Sequence, residues 1–459
     1  MSEISLPDAV EVALELLGKD GGVVIGGNSA TNNLRWANSA LTTNGDSIDQ
    51  TLSISAFVSM SGGVATGMSS GQIRSRDDVE ALVAASKASA VSAGPAVDAM
   101  ELVTGPTDKS FADAALTLDV SEISHVAGGL AEVFANREQE FFGYAEQSLD
   151  TTYVGTSSGT RMRYSERTSR FELCAKSHDR KRSAWSGQGG TSLMDVTIGH
   201  HLSDVTQKLK IQNNQIDTDA GRHRVTLSPS AVSDLLIYML WSSAARDAAE
   251  GRSAFSNVKG GTRVGETLTK RNLNLATDPN LKGIETFDRV VNLGSSALGS
   301  AFDTGIEIGR SDIITDGVLT ALGSSRHAAQ EANLPFTPLT DNISLVDAQG
   351  NGSLAELASR MGDGLLITCL WYIREVDPQN LLLTGLTRDG VYVVSGGEVI
   401  GATNNFRFNE SPIYMLSRVI DAGTTVPCLP REWADWFSRA QVAPLTIEGF
   451  NLSTKSDAI

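Results

Sequence analysis

"GLLITCLWYIREVDPQNLLLTGLTRDGVYVVSGGEVIGATNNFRFNESPIYML", residues 364–416, decides the fold. Short apolar, β-branched and aromatic runs alternate with breaks at Asp-Pro, Gly and Asn, which is the pattern of closely spaced strands. "SGGE" at 395–398 sits between "VYVV" and "VIGA" and signals a hairpin turn. Along "NFRFNE", period-two alternation sends Phe406 and Phe408 to one face of a strand and Asn405, Arg407 and Asn409 to the other. The texture beyond residue 280 is therefore β-rich.

Working back from there, "LLIYMLWSSAARDAAEGRSAF", residues 235–255, reads as a helix with an apolar first half and a polar second half. Leu235 to Trp241 is apolar round the whole circumference, as a buried core helix is. Ser228 is placed to cap that helix and Pro229 fits its first turn, just after a short strand at Arg224–Leu227. Further upstream, the order helix, meander, helix occurs twice. Apolar positions at helical spacing mark 6–18, and "RSRDDVEALVAASKASAVSA" is a second helix with Asp77 and Asp78 at its start. "GGVVIGG", "NLRWANS" and "TLSISAF" read as the strands between them. The stretch 111–138 reads as helical with a glycine interruption, then strands follow through "RKRSAWSG", and 193–212 is again a helix. The expected fold class is α+β: helix and antiparallel-strand units over 1–108 and 109–220, followed by a β-rich C-terminal domain, 221–459, that opens with a buried helix.

Composition narrows the function. The 459 residues carry a formal net charge of −17, which argues against nucleic acid and anionic membranes as partners. No apolar run approaches the roughly 20 residues that span a bilayer, and the N-terminus begins acidic rather than basic, so no export signal is expected. Three scattered cysteines without a CxxC suit a reducing cytoplasm. The six histidines form no HExxH. His200 and Asp204 have metal-compatible spacing, but a solvated helix face is the better reading of that pair. His178 lies at a basic hairpin tip, Cys369 reads as a buried inert thiol, and no nucleophile elbow or phosphate loop is present. The residues alone describe an α+β protein without a recognisable active site.

In order, "WYIREVDP", "TGLTRDG" and "NNFRFNESP" resemble the TldD/PmbA family, in its TldE (PmbA) branch. "RWANSALTTNG", "GTSSGTRMRYSERTSRFEL", "FTPLTDNISL" and "AQVAPLTIEGFNL" extend the resemblance over nearly the whole chain. Its TldD-type members look like zinc metalloproteases, with His-Glu-x-x-x-His on the helix that opens the third region and a later Cys ligand. In this chain that motif falls at about Leu236, Ile237 and Trp241, and no histidine occurs between His223 and His327. The resemblance thus implies a non-catalytic, cytoplasmic TldE-type subunit with no catalytic or metal residue and no cofactor of its own. Zinc is expected in a TldD-type partner, and the complex is expected to process peptides or unfolded protein segments. Arg388, Asp389, Asn405, Arg407, Asn409 and Glu410 are the candidates for lining the chamber or the subunit contact, where such a row holds an extended peptide by its backbone. The competing reading of these six is structural. Two other functions stay open: a stand-alone peptide-binding homo-oligomer, and a hydrolase with an unrecognised site.

Overall fold

A computed structural model of the chain describes residues 4–456. The first half is one antiparallel sheet flanked by helices. Helix α1 (Leu6–Leu17) starts where the Ser5 hydroxyl accepts the Asp8 amide. Strands β1 (Gly22–Ala37), β2 (Ala40–Met60) and β3 (Gly63–Gln72) form a meander, and helix α2 (Arg76–Ala93) closes it. Ser75 and Asp78 cap α2 reciprocally, which is what the acidic pair at its start contributes. The second unit repeats the order: α3 (Ser121–Ala135), then β4 (Glu140–Thr156), β5 (Arg161–Lys176) and β6 (Ser183–Gly190), then α4 (Ile198–Ile211). The sheet order is β3-β2-β1-β4-β5-β6, so the two meanders meet with β1 antiparallel to β4. Gly67 is required where α2 crosses β3, since a Cβ there would sit 2.0 Å from the Ala90 nitrogen.

Two expectations change here. Residues 111–120 are not helical; side chains of the sheet take up their backbone groups instead. Gln147 Nε2 donates to the Asp119 carbonyl at 2.6 Å, and the Tyr153 hydroxyl donates to the Asp113 carbonyl at 2.7 Å. The glycines at 128–129 do not interrupt α3, because Gly129 gives Ile198 of α4 room to approach.

The second half contains two sheets with a helix between them. Strand β7 (Gly221–Leu227) leads through Ser228, whose hydroxyl accepts the Ala231 amide at 3.2 Å, into α5 (Pro229–Trp241). The following strands are β8 (Leu273–Thr277), β9 (Ser311–Thr315), β10 (Val318–Leu319), β11 (Asn342–Asp347), β12 (Gly364–Ile367), β13 (Leu370–Asp377) and β14 (Leu382–Thr387). They continue with β15 (Val391–Ser395), β16 (Glu398–Thr403), β17 (Asn405–Glu410), β18 (Val419–Ala422), β19 (Val426–Cys428), β20 (Arg439–Val442) and β21 (Leu445–Ser456). One sheet runs β10-β9-β8-β11-β20-β19. The other runs β13-β14-β17-β21-β7-β12-β15-β16, with β18 added beside β21. Helix α5 packs on β19 and β20 of the first and on β7 and β13 of the second. That sandwich buries Leu235, Leu236, Ile237, Met239 and Leu240 and accounts for the all-round apolar run. The fold is α+β with a β-rich C-terminal half.

The helix expected over 235–255 is shorter. It stops at Trp241 because two serine hydroxyls take its last carbonyls: Ser242 bonds Tyr238 at 2.9 Å and Ser243 bonds Leu240 at 2.6 Å. A separate short helix follows at Ala245–Ala249. The 395–398 hairpin forms as read, with Gly396 and Gly397 both at positive φ (57° and 83°).

Candidate functional site

The helix on which the resemblance places a metal motif carries no ligand set. Leu236 and Ile237 are fully buried among apolar side chains. Trp241, at the end of α5, stacks into a cluster with Tyr238, Trp433 and Phe437. Among the described residues, no group of three or more His, Cys, Asp and Glu side chains is arranged to hold a metal ion. Burial pushes the Cys174 thiol up to about 12, Cys369 to about 11 and Cys428 to about 12, so none is a thiolate at neutral pH. The donor set present does not fit a zinc ion. Asp204, at metal-compatible spacing from His200, is held by Lys208 at 2.7 Å, and His201 is buried with Nδ1 2.9 Å from the Ser186 hydroxyl.

One carboxyl stands out on the same helix. Asp234 is wholly buried; its Oδ1 accepts the Glu432 amide at 3.1 Å, and its Oδ2 has no hydrogen-bond partner among the described residues. Burial, reinforced by the Glu432 carboxylate, raises it well above the ordinary carboxyl range.

The six candidate residues divide into three groups. Asp389 is buried in the left-handed region (φ 55°) and forms an ion pair with Arg431; Arg388 Nε stands 3.6 Å from the same carboxylate. Asn405, Arg407 and Asn409 face away from Phe406 and Phe408, and Arg407 is exposed. The Thr387 hydroxyl reaches Asn405 Oδ1 at 3.1 Å, and Arg407 reaches Thr384 at 3.3 Å. The register Trp371–Leu386–Arg407–Thr454 puts Arg407 on the same sheet face as Trp371, because directly paired residues project to the same side. Glu410 lies on the other face, buried, accepting from Arg418 and from the Asn451 amide at 2.8 Å.

Arg388 and Asp389 lead into a cleft between the two halves. Arg431 lies between two indoles, its guanidinium carbon 5.0 Å from the Trp185 ring centre and 5.3 Å from that of Trp371. A cavity of about 560 Å³ opens there, lined by β1, β4 and β5 on one side and by Trp371, Arg431, Glu432, Ala434 and Asp435 on the other. It shares Arg170 and Asp435 with a second cavity of about 260 Å³. The second shares Glu166, Asp341 and Phe437 with a third of about 300 Å³, which ends against Leu240 and Trp241. The cleft thus runs from the Arg431 cluster to the C-terminal end of α5. Its walls are joined by Arg170 with Asp435, by Arg439 donating to the Arg167 carbonyl at 2.8 Å, and by Tyr164 stacked on Phe287 at 3.7 Å. Burial raises the Glu166 carboxyl against the pull of Arg439.

Sequence reading missed Arg170, Trp185, Trp371 and Arg431 as cleft residues. The available signal was the mixture of tryptophan and charge in "PREWADWFSR", 430–439, which no local pattern assigns to a site.

Residues 220–454 match the family model described as the PmbA/TldA metallopeptidase C-terminal domain. Three solved structures share the fold over nearly the whole chain. TldE from Thermococcus kodakarensis is 12% identical, with a TM-score of 0.74 covering 96% of this chain and 99% of that one. A protein described as a putative modulator of DNA gyrase, from Bacteroides thetaiotaomicron, is 14% identical at a TM-score of 0.75, covering 96% and 97%. A second of that description, from Thermotoga maritima, is 14% identical at 0.73, covering 96% and 99%. No curated protein matches the chain. Among the described residues, no helix is long and apolar enough to cross a membrane.

Proposed function

Because the chain belongs to the PmbA/TldD metallopeptidase family, we propose that it is a TldE-type, non-catalytic subunit of a cytoplasmic metalloprotease complex whose zinc is held by a TldD-type partner. The observation that carries this reading is α5. Where the resemblance places a histidine–glutamate–histidine set, the chain has Leu236 and Ile237, which pack between two sheets, and Trp241, which is partly exposed at the end of the helix. Water activation on a metal needs several imidazole, thiolate or carboxylate ligands and an open coordination position, and this helix offers a single carboxyl, Asp234, wholly buried.

The role that remains is to hold substrate and partner. The cleft reaches from Arg431 to Trp241, so a chain lying in it passes the end of α5. Substrates of this class are extended peptides or unfolded segments, bound through their main chain. An obligate subunit contact buries well over ~1,600 Å².

Affinity purification of the tagged chain from its own cells, followed by native mass measurement and elemental analysis, tests this. A hetero-oligomer with a TldD-type homologue, with zinc only on the homologue, is the expected result. A homo-oligomer that never engages such a homologue contradicts it.

A further inference from the structure

We propose that β2, over residues 40–49, takes an extended basic segment of another protein as an added antiparallel strand. Strand β2 is 21 residues long and its neighbour β3 only 10. β2 pairs with β1 from Ala40 to Ala56, but with β3 only from Thr51 to Met60. Among the described residues, no strand lies beside residues 40–49 in line with β3, so this stretch is a free edge of the sheet.

The register fixes which backbone groups face that side. The Phe57 amide donates to the Gly21 carbonyl at 3.0 Å, and the β1–β2 pairing keeps one register from Gly22–Ala56 to Arg35–Thr43. Odd-numbered residues of β2 therefore bond to β1, and the amides and carbonyls of Asn44, Asp46 and Ile48 point outward. All three residues are exposed, so a partner backbone can reach them. The stretch "ALTTNGDSIDQ", 40–50, carries neither the lysine nor the proline that commonly shields an edge strand.

The side chains select the occupant. Directly paired residues share a face, so Asp46 and Ile48 project beside Asn32 and Ala30, and Asn32 Nδ2 reaches Asp46 at 2.8 Å. Ile48 is 69% exposed on that face. Asp49 projects on the opposite face, with Gln72 Nε2 at 3.3 Å. Each carboxylate accepts only a neutral amide among the described residues, and 40–50 contains no cation. A second copy of a chain with net charge −17 would double the carboxylates at the seam and add no cation. A complementary strand carries lysine opposite Asp49, an apolar residue opposite Ile48 and lysine opposite Asp46, which reads Lys-Val-x-Lys. None of residues 40–50 lines the cleft, so the proposal does not rest on the function proposed above.

The test titrates the full chain with acetyl-Lys-Val-Thr-Lys-Thr-Thr-amide, followed by calorimetry and by hydrogen exchange. One control peptide has glutamate for both lysines. Another is N-methylated at the valine and the second lysine, which removes the amides that would donate to Ile48 and Asp46. The lysine peptide is expected to bind saturably, roughly tenfold tighter than the glutamate peptide, the size of two cross-strand charge pairs reversed in sign. The N-methylated peptide should not bind. With the lysine peptide at about ten times its Kd, exchange of the Asn44, Asp46 and Ile48 amides should slow about tenfold. Ile48→Pro removes one outward N–H and no bond to β1, and should abolish binding with the melting temperature held. If that variant fails to fold, the double variant Asp46→Lys, Asp49→Lys decides, and should prefer the glutamate peptide. Absence of saturable binding, equal affinity for the lysine and glutamate peptides, or binding of the N-methylated peptide would overturn the proposal. So would self-association of the chain alone that protects the same three amides, since the edge then takes a second copy.

Discussion

Trp241 packs edge-on against Trp433, with ring centres 5.0 Å apart and planes at 68°, and Trp433 donates its indole N–H to the Asp234 carbonyl at 2.8 Å. This contact closes the end of α5 with aromatic surface. Trp433 is 7% exposed. Trp433→Ala is therefore expected to lower stability by about 3–5 kcal/mol, the range for removing a large buried aromatic. Urea denaturation checks it, and a loss within about 0.5 kcal/mol would show that the cluster is not packed as described.

Asp234 yields a prediction with an unusual sign. Its folded-state pKa is raised, so the stability it contributes is present below the unfolded value near 3.8 and is lost as pH rises. Between the unfolded and the folded pKa the unfolded chain ionises this carboxyl while the folded chain keeps its proton, and above both the folded chain carries a buried charge. Asp234→Asn should then raise the melting temperature at pH 7. The gain should vanish below about pH 3.9, where the carboxyl is protonated in both states. A gain that is the same at both pH values would contradict a buried Asp234 with a raised pKa.

The Asp389–Arg431 pair behaves the opposite way. Burial alone would raise the Asp389 carboxyl, but the Arg431 guanidinium beside it brings it below its ordinary value. Its contribution is present above the unfolded pKa and is lost as pH falls through the folded one. Arg431→Gln leaves a buried carboxylate unpaired and should cost about 3–5 kcal/mol. Adding Asp389→Asn should restore part of that loss, since Asn tolerates the left-handed backbone. A double variant as unstable as the sum of the two singles would rule out direct coupling.

The exposed row and its buried neighbour separate cleanly. Arg407→Ala and Asn409→Ala should each stay within about 0.5 kcal/mol of the parent, as changes on an open face do. Glu410→Ala should lose several times that, because it strands Arg418 and the Asn451 amide. If the row guides substrate, peptide processing by the reconstituted complex falls in the first two variants while their melting temperatures hold. A stability loss in Arg407→Ala with unchanged processing would make the row scaffold.

Local chemistry was legible in the sequence wherever it is set by neighbours along the chain. Ser228 and Pro229 marked the start of α5, Gly396 and Gly397 marked a turn, and alternation placed Phe406 and Phe408 on one face. The all-apolar run at 235–241 implied burial, which holds for Leu235, Leu236, Ile237, Met239 and Leu240 but not for Trp241 at the helix end, which is 38% exposed. Features made by distant groups were not legible. Residues 111–120 have helical composition, but Gln147 and Tyr153, on a strand later in the chain, claim their carbonyls. The stop at Trp241 depends on two serines turning back onto the helix, in a stretch whose alanines favour continuation. The cleft joins β5 to residues 431–439, more than 250 residues apart, as Arg170 and Asp435 show. No periodicity records such a meeting, so nothing local marks Arg431, which lies buried between two indoles.

Hydrolysis of an unstructured peptide tests the central claim most directly, measured for this chain alone, for a TldD-type homologue from the same organism alone, and for an equimolar mixture of the two. The chain alone is expected to be inactive with or without added zinc. The mixture is expected to cleave the peptide in a chelator-sensitive way and to exceed the homologue alone. Zinc-dependent cleavage by this chain alone, or a homologue that is fully active and indifferent to its presence, would contradict the account.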